Sequence, residues 1–398
     1  MTRRFFTLLF FASALSVTTS VAIADDSLDR RSDSVMPRFS WDTLPLYAHV
    51  RKTAAFTADE AKYLAGFPLV TFEKTTGKDA FGSTDAGTIH AALAVKQIDP
   101  STKVLFYRNV IVHYGGYSFD KQLDDIAAPF LVDRKGNDNL IRRRVRAYNL
   151  ANQDVRKWWL NSMATVCQHN AVDGLFLDGN VKVLSPFLKG ELGADKKAQV
   201  TAGFNQMMRE TRARLGPKKL MIANILRARF DQGGLEFIDA FDGSYLEGFE
   251  HAVGGANQED YVAKGIATVQ AAAKQGKVIA LTLNIGKSSL GDGVDEQGGG
   301  LESFQSVRQA RLDYCIAMFL IMAERYSYLG IHDGYDVNPD AKGGYASQLW
   351  LKKFPEYSRP LGPPAGPATK AGYRYTRDFQ HASVVLDIEN AVGKVIWK

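Results

Sequence analysis

Cysteine is scarce, with only Cys167 and Cys315 in 398 residues. That excludes a disulfide-stapled scaffold and any all-cysteine zinc or iron–sulfur cage. The seven histidines never fall at the HxH, HxxxH or HExxH spacing of the common zinc hydrolases. Gly286-Lys287-Ser288 ends like a phosphate-binding loop, but Leu281 stands where that motif needs glycine. There is no G-x-S-x-G, so the serine nucleophile elbow is missing. Charge is close to balanced: 49 basic against 43 acidic residues leave +6, spread along the chain. This is a solubility charge, and no nucleic-acid partner is expected. Nothing here calls for a metal or cofactor. With 45% hydrophobic and 23% charged residues, a disordered, collagen-like or polytopic membrane chain is excluded.

The first 24 residues read as a secretory signal: Arg3 and Arg4, then the apolar run Phe5 to Leu15, then Ala22-Ile23-Ala24 before two aspartates. Cleavage after Ala24 predicts a periplasmic or secreted protein with no integral membrane segment left. Residues 25–36 are polar and predict a flexible lead-in.

Short apolar runs then recur at Leu44–Val50, Phe67–Phe72, Val104–Val112, Val172–Leu177, Lys219–Leu226, Phe241–Leu246, Val278–Ile285 and Tyr326–Ile331. Nearly continuous apolar character suits strands covered on both faces. Helix signals lie between them: a Thr57–Glu60 capping box, Asp85 as a cap for a helix through Ile98, and Asn152 before a stretch holding Trp158 and Trp159. Eight strands alternating with helices predict an α/β fold, a (β/α)8 TIM barrel, over 37–354. Five prolines between Pro355 and Pro367 predict a stiff linker over 355–372. Period-two alternation then predicts a small antiparallel β unit over 373–398, packed on the barrel.

Barrels of this type place chemistry at the C-terminal ends of their strands. The residues delivered there are Tyr47 and His49, Glu73, Arg108 and His113, Asp178, Asn224, Glu247 and Glu250, Asn284, and His332. Asp178 ends an otherwise apolar strand, where a carboxylate needs a partner or a task. Glu247 ends another strand two places round the ring. Paired carboxylates across a polar cleft are what glycoside hydrolysis requires: one protonates the leaving oxygen, the other stabilises or attacks the anomeric carbon. Glu73 and Glu250 compete with Glu247 for that role, or hold a sugar hydroxyl instead. The remaining residues named above are candidates for holding sugar hydroxyls. Gly286–Gly300, with its six glycines, is a candidate lid carrying Asp292 and Asp295. Tyr47, Tyr114, Tyr117, Tyr245 and Phe249 are candidate stacking rings.

Several segments are familiar. Leu44–Arg51, Phe67–Lys74, Asn149–Trp159, Asp173-Gly-Leu-Phe-Leu-Asp178 and the closing Tyr375–Asp387 pair resemble a bacterial family of hypothetical glycosyl hydrolases. More distantly, the strand-four aspartate is similar to that of barrels acting on α-linked galactosides and dextran. The resemblance implies an exported glycoside hydrolase acting on a carbohydrate substrate, with Asp178 as nucleophile, Glu247 as general acid/base and retained configuration. The alternatives are a non-catalytic glycan-binding barrel, or a metal-dependent hydrolase assembled from His49, His113, His251 and His332.

Overall fold

Each apolar run overlaps a strand. β1 (Tyr47–Val50), β2 (Leu69–Phe72), β3 (Lys103–Asn109), β4 (Gly174–Asp178), β5 (Leu220–Asn224), β6 (Gly243–Leu246), β7 (Val278–Asn284) and β8 (Ser327–His332) pair in chain order, all parallel. The computed structural model describes residues 34–286, 301–338, 347 and 349–398. The expected signal segment, most of the polar lead-in and the glycine loop beyond Gly286 lie outside them. A parallel bridge between Leu46 and Leu329 brings the last strand beside the first, and the Leu329 N–H donates to Pro45 O at 2.9 Å. The result is the expected TIM barrel, nearly closed.

Side-chain alternation decides which residues line the barrel. In β4, Phe176 packs into an interior cluster with Tyr47, Tyr107, Ile222 and Tyr245, whereas Leu175 and Leu177 pack against the helix layer. Apolar side chains fill the lower and middle barrel, so the polar residues that follow them on the same faces emerge only at the upper rim. Met36 and Phe39 plug the bottom beneath Tyr328. The end of the supposedly loose lead-in is therefore part of the barrel floor.

The helix signals hold with one correction. Thr57 and Glu60 form a reciprocal capping box on Ala58–Ala65, and Asn152 caps Gln153–Cys167. The helix Thr84–Ile98 is capped by Ser83, not Asp85. Asp85 instead accepts hydrogen bonds from the Ser118 N–H and hydroxyl, tying that helix to the loop after β3.

The C-terminal unit is an antiparallel sheet, larger than expected: β9 (Thr369–Ala371), β10 (Arg374–Phe379), β11 (Ala382–Asp387) and β12 (Val392–Trp397). Its first strand lies inside the span read as linker. That span is also pinned to the barrel, because the Leu361 and Gly362 N–H groups donate to Asp42 O and Trp41 O. The sheet packs on the helix Leu301–Met322. Gly393 permits the approach: a Cβ there would lie 2.4 Å from the Tyr314 Cα. Cys167 and Cys315 are buried free thiols, and burial raises both pKa values.

Candidate active site

Asp178 is held by four donors. Tyr107 Oη and Asn109 Nδ2 donate to Oδ2 at 2.7 and 3.0 Å, while the Gly179 N–H and Asn224 Nδ2 donate to Oδ1 at 2.7 and 3.4 Å. Asn109 cannot flip away, because its Oδ1 accepts from the N–H groups of Ile111 and Val112 at 3.1 and 2.6 Å. Gly179 is required here. Its φ of +84° is left-handed, and a Cβ would sit 2.5 Å from Asn109 Oδ1.

Asn224 links this carboxylate to the next. Its Oδ1 accepts from Arg227, which turns Nδ2 toward the mouth, where it also donates to Glu247 Oε1 at 3.0 Å. Legs of 3.4 and 3.0 Å from one nitrogen put the two carboxylate oxygens no more than about 6.4 Å apart. The Glu247 side chain is 44% exposed, and Arg227 lies 3.9 Å from Oε1. Beneath it, Tyr245 Oη donates to Oε2 at 3.4 Å, Tyr335 Oη lies 2.7 Å from Tyr245 Oη, and Thr282 donates to Tyr245 at 2.9 Å.

The opposite arc of the rim comes from β8, β1 and β2. Glu73 is buried; its Oε1 accepts from Lys74, while Oε2 has no hydrogen bond and lies 3.8 Å from Arg51. Burial raises its pKa, and Lys74 and Arg51 pull against that shift. His49 sits over the barrel axis, its ring within 5.1 Å of those of Phe176, Tyr245 and Tyr335. Its Nδ1 lies 3.0 Å from Tyr47 Oη, whose proton goes to Thr71 at 2.7 Å, so Nδ1 carries the hydrogen and Nε2 is the acceptor. Burial, then Lys74, His332 and Arg51, lower the His49 pKa well below the usual histidine value. His332 stacks on Tyr335 with 4.3 Å between centroids, its Nδ1 is unpartnered, and burial lowers its pKa to about 4. One half of the rim thus presents carboxylates bridged by an amide, and the other presents two buried imidazoles and a buried carboxyl.

The family comparison bears on this geometry. A family model described as hypothetical glycosyl hydrolase family 15 matches residues 96–383. The chain belongs to that family. No curated protein matches it. Among solved structures, it is similar to the maltogenic α-amylase AmyB from Thermotoga neapolitana, at 14% identity over 88% of this chain and 86% of that one, with a TM-score of 0.48. It is also similar to α-L-fucosidase isoenzyme 2 from Paenibacillus thiaminolyticus, at 14% identity over 73% of this chain, TM-score 0.46. The α-galactosidase AgaA from Geobacillus stearothermophilus is 10% identical over 88% of this chain, TM-score 0.45. The match spans 46% of the fucosidase chain and 48% of the galactosidase chain.

In this glycosyl hydrolase family member, the rim brings together Asp178, Asn224, Glu247, Glu73, His49 and His332. It does not bring in every residue singled out from the sequence. Arg108 is a correction: it points into the helix layer, donating to Ser162 at 3.1 Å with its guanidinium 4.3 Å from the Tyr117 ring. Strand alternation explains it, since its neighbours Tyr107 and Asn109 take the inward face. Glu250 is gripped at both oxygens by Arg311, and so is not free to act as the second acid. His113 packs with Tyr148 and Phe130, and the charges acting on it are Asp120, Arg146 and Arg108, not the rim carboxylates. Tyr47 is buried below His49. Asn284, in register with His332, accepts from the Gly286 N–H at 2.6 Å. Of the candidate rings, Tyr117, Tyr245 and Phe249 are buried, whereas Tyr114 is 38% exposed. Sequence reading missed Tyr107 and Tyr335. The first was legible from its alternation with Asn109; the second lies in a loop with no periodic signal.

Proposed function

We propose that the protein is an exported glycoside hydrolase that cleaves a poly- or oligosaccharide through Asp178 and Glu247. The observation that carries this reading is the single Asn224 amide donating to both carboxylates across the mouth. Asp178 attacks the anomeric carbon as the glycosidic bond breaks, and Glu247 gives its proton to the departing oxygen. Glu247 then takes a proton from water, which attacks the glycosyl–Asp178 ester and releases the sugar with retained configuration. A gap of about 5–5.5 Å suits this covalent route, whereas inversion needs about 6.5–9.5 Å to admit water. The exposure of Glu247 suits a group that meets leaving group and water in turn. The His49 Nε2 atom, over the barrel axis, is an acceptor for a sugar hydroxyl. Export rests on the N-terminal pattern alone.

Glu73 supports a second assignment of the proton donor, because burial raises its pKa and a general acid must hold its proton near neutrality. Aryl glycosides separate the two. With Glu247 as acid, Glu247→Gln slows poor leaving groups about 10²–10⁴-fold and leaves 2,4-dinitrophenyl glycosides far less affected. Glu73→Gln then lowers kcat/KM by a similar factor for both. The reverse pattern moves the acid to Glu73.

A further inference from the structure

The loop between β3 and the helix Gln153–Cys167 carries Arg142-Arg143-Arg144 and Arg146 in a tight hairpin. Ile141 and Val145 pair across it, and the Arg144 N–H donates to Ile141 O at 3.0 Å. Arg142 and Arg143 take φ of 52° and 56°, the left-handed region. Turns of this kind favour asparagine or glycine, and other residues adopt them at a cost. Arg142, Arg143 and Arg144 are exposed, and none of the four arginines pairs with a carboxylate among the described residues. The Arg146 guanidinium lies 3.9 Å from the Phe130 ring centroid, and the other three carry no ion pair among the described residues.

Its position is defined. The His113 N–H donates to Arg146 O at 3.0 Å and the Tyr148 N–H to Ile111 O at 2.8 Å, which anchors the hairpin just above the end of β3. Tyr114 follows His113 at the hairpin's anchor; its ring is half-exposed with Lys74 Nζ, the partner of Glu73, 5.0 Å above it, and its hydroxyl lies within electrostatic reach of Asp178, Glu73, Glu247 and Arg142. A sugar stacked on Tyr114 would therefore run from the carboxylates toward the arginines.

We propose that the arginine hairpin and Tyr114 form a subsite for the anionic groups of an acidic glycan, either uronate carboxylates or sulfate-type esters. This rests on the glycoside hydrolase reading and adds the substrate class to it. Guanidinium forks bind both kinds of anion in bidentate fashion.

The test is affinity electrophoresis of the full chain through gels containing polygalacturonate, dextran sulfate or uncharged dextran. At least one polyanion should retard the protein, dextran should not, and the affinity should fall several-fold between about 20 and 300 mM NaCl. Retardation by polygalacturonate alone assigns carboxylates, and by dextran sulfate alone assigns sulfate-type esters. Arg142→Gln/Arg143→Gln should weaken binding about tenfold. Lys218→Gln/Lys274→Gln removes the same charge at the exposed opposite end of the barrel and should change it less than about twofold. Equal losses in the two doubles, or no retardation by either polyanion, would overturn the proposal. A chain that binds polyanions but hydrolyses nothing keeps the subsite and loses the hydrolase. One that cleaves neutral glycans, indifferent to salt and to the arginine pair, does the reverse.

Discussion

Asp178→Asn tests the site most directly, and the structure sets its cost. The native carboxylate receives four donors, two at each oxygen. An amide can accept at only one of those positions. Placed over Oδ1, its NH2 meets the Gly179 N–H, which cannot turn. Placed over Oδ2, it meets the Tyr107 hydroxyl, which can rotate to accept, and Asn109 Nδ2, which is locked by Ile111 and Val112. The second orientation is cheaper and leaves one donor–donor clash, worth about 1–3 kcal/mol. Relief of repulsion from neighbouring carboxylates offsets little, because Arg227 stands beside Glu247, and Lys74 and Arg51 beside Glu73. The variant should fold, with Tm lowered by roughly 1–4 °C in scanning calorimetry. Hydrolysis of aryl glycosides should fall by at least about 10³-fold, because the covalent route is gone. Asp178→Ala should regain turnover in azide, releasing a glycosyl azide of inverted configuration. Full activity in Asp178→Asn would refute the assignment, and a raised Tm would refute the hydrogen-bond accounting.

Three further outcomes follow from the geometry. Tyr335→Phe removes the hydroxyl behind Tyr245 and should lower kcat about 2–10-fold with KM little changed; a rise in KM alone would mean that Tyr335 only binds substrate. His332 is held neutral, with its pKa lowered from 6.5 to about 4. The unfolded chain therefore binds the extra proton first, and stability present above pH 6.5 is lost as pH falls toward 4, by up to about 3 kcal/mol. His332→Gln should flatten that part of the Tm-against-pH curve, and an unchanged slope would exclude the effect. Arg377 is buried and donates to Leu320 O and Glu324 Oε1 at 3.1 and 3.0 Å, closing the end of the helix Leu301–Met322. Arg377→Ala should cost about 2–4 kcal/mol in urea denaturation and leave kcat unaltered.

Much of this protein was legible without coordinates, because the deciding forces are local. Apolar runs of strand length with helical stretches between them leave few ways to bury both faces of each strand, so the barrel follows. Asp178 stood out because period-two alternation makes the inward face of its strand apolar until the last residue. The capping box at Thr57 needed only a three-residue reach. The tertiary structure decided which carboxylates meet. Glu247 and Glu250 are three residues apart, yet one shares Asn224 with Asp178 and the other is held by Arg311, from a helix more than fifty positions away. Arg108 looked available until strand orientation turned it outward, and Tyr335 entered through a loop that carries no pattern. Partners at the rim come from different strands, and their distances are set by barrel tilt, register and loop return, none of which is encoded within any single stretch of chain.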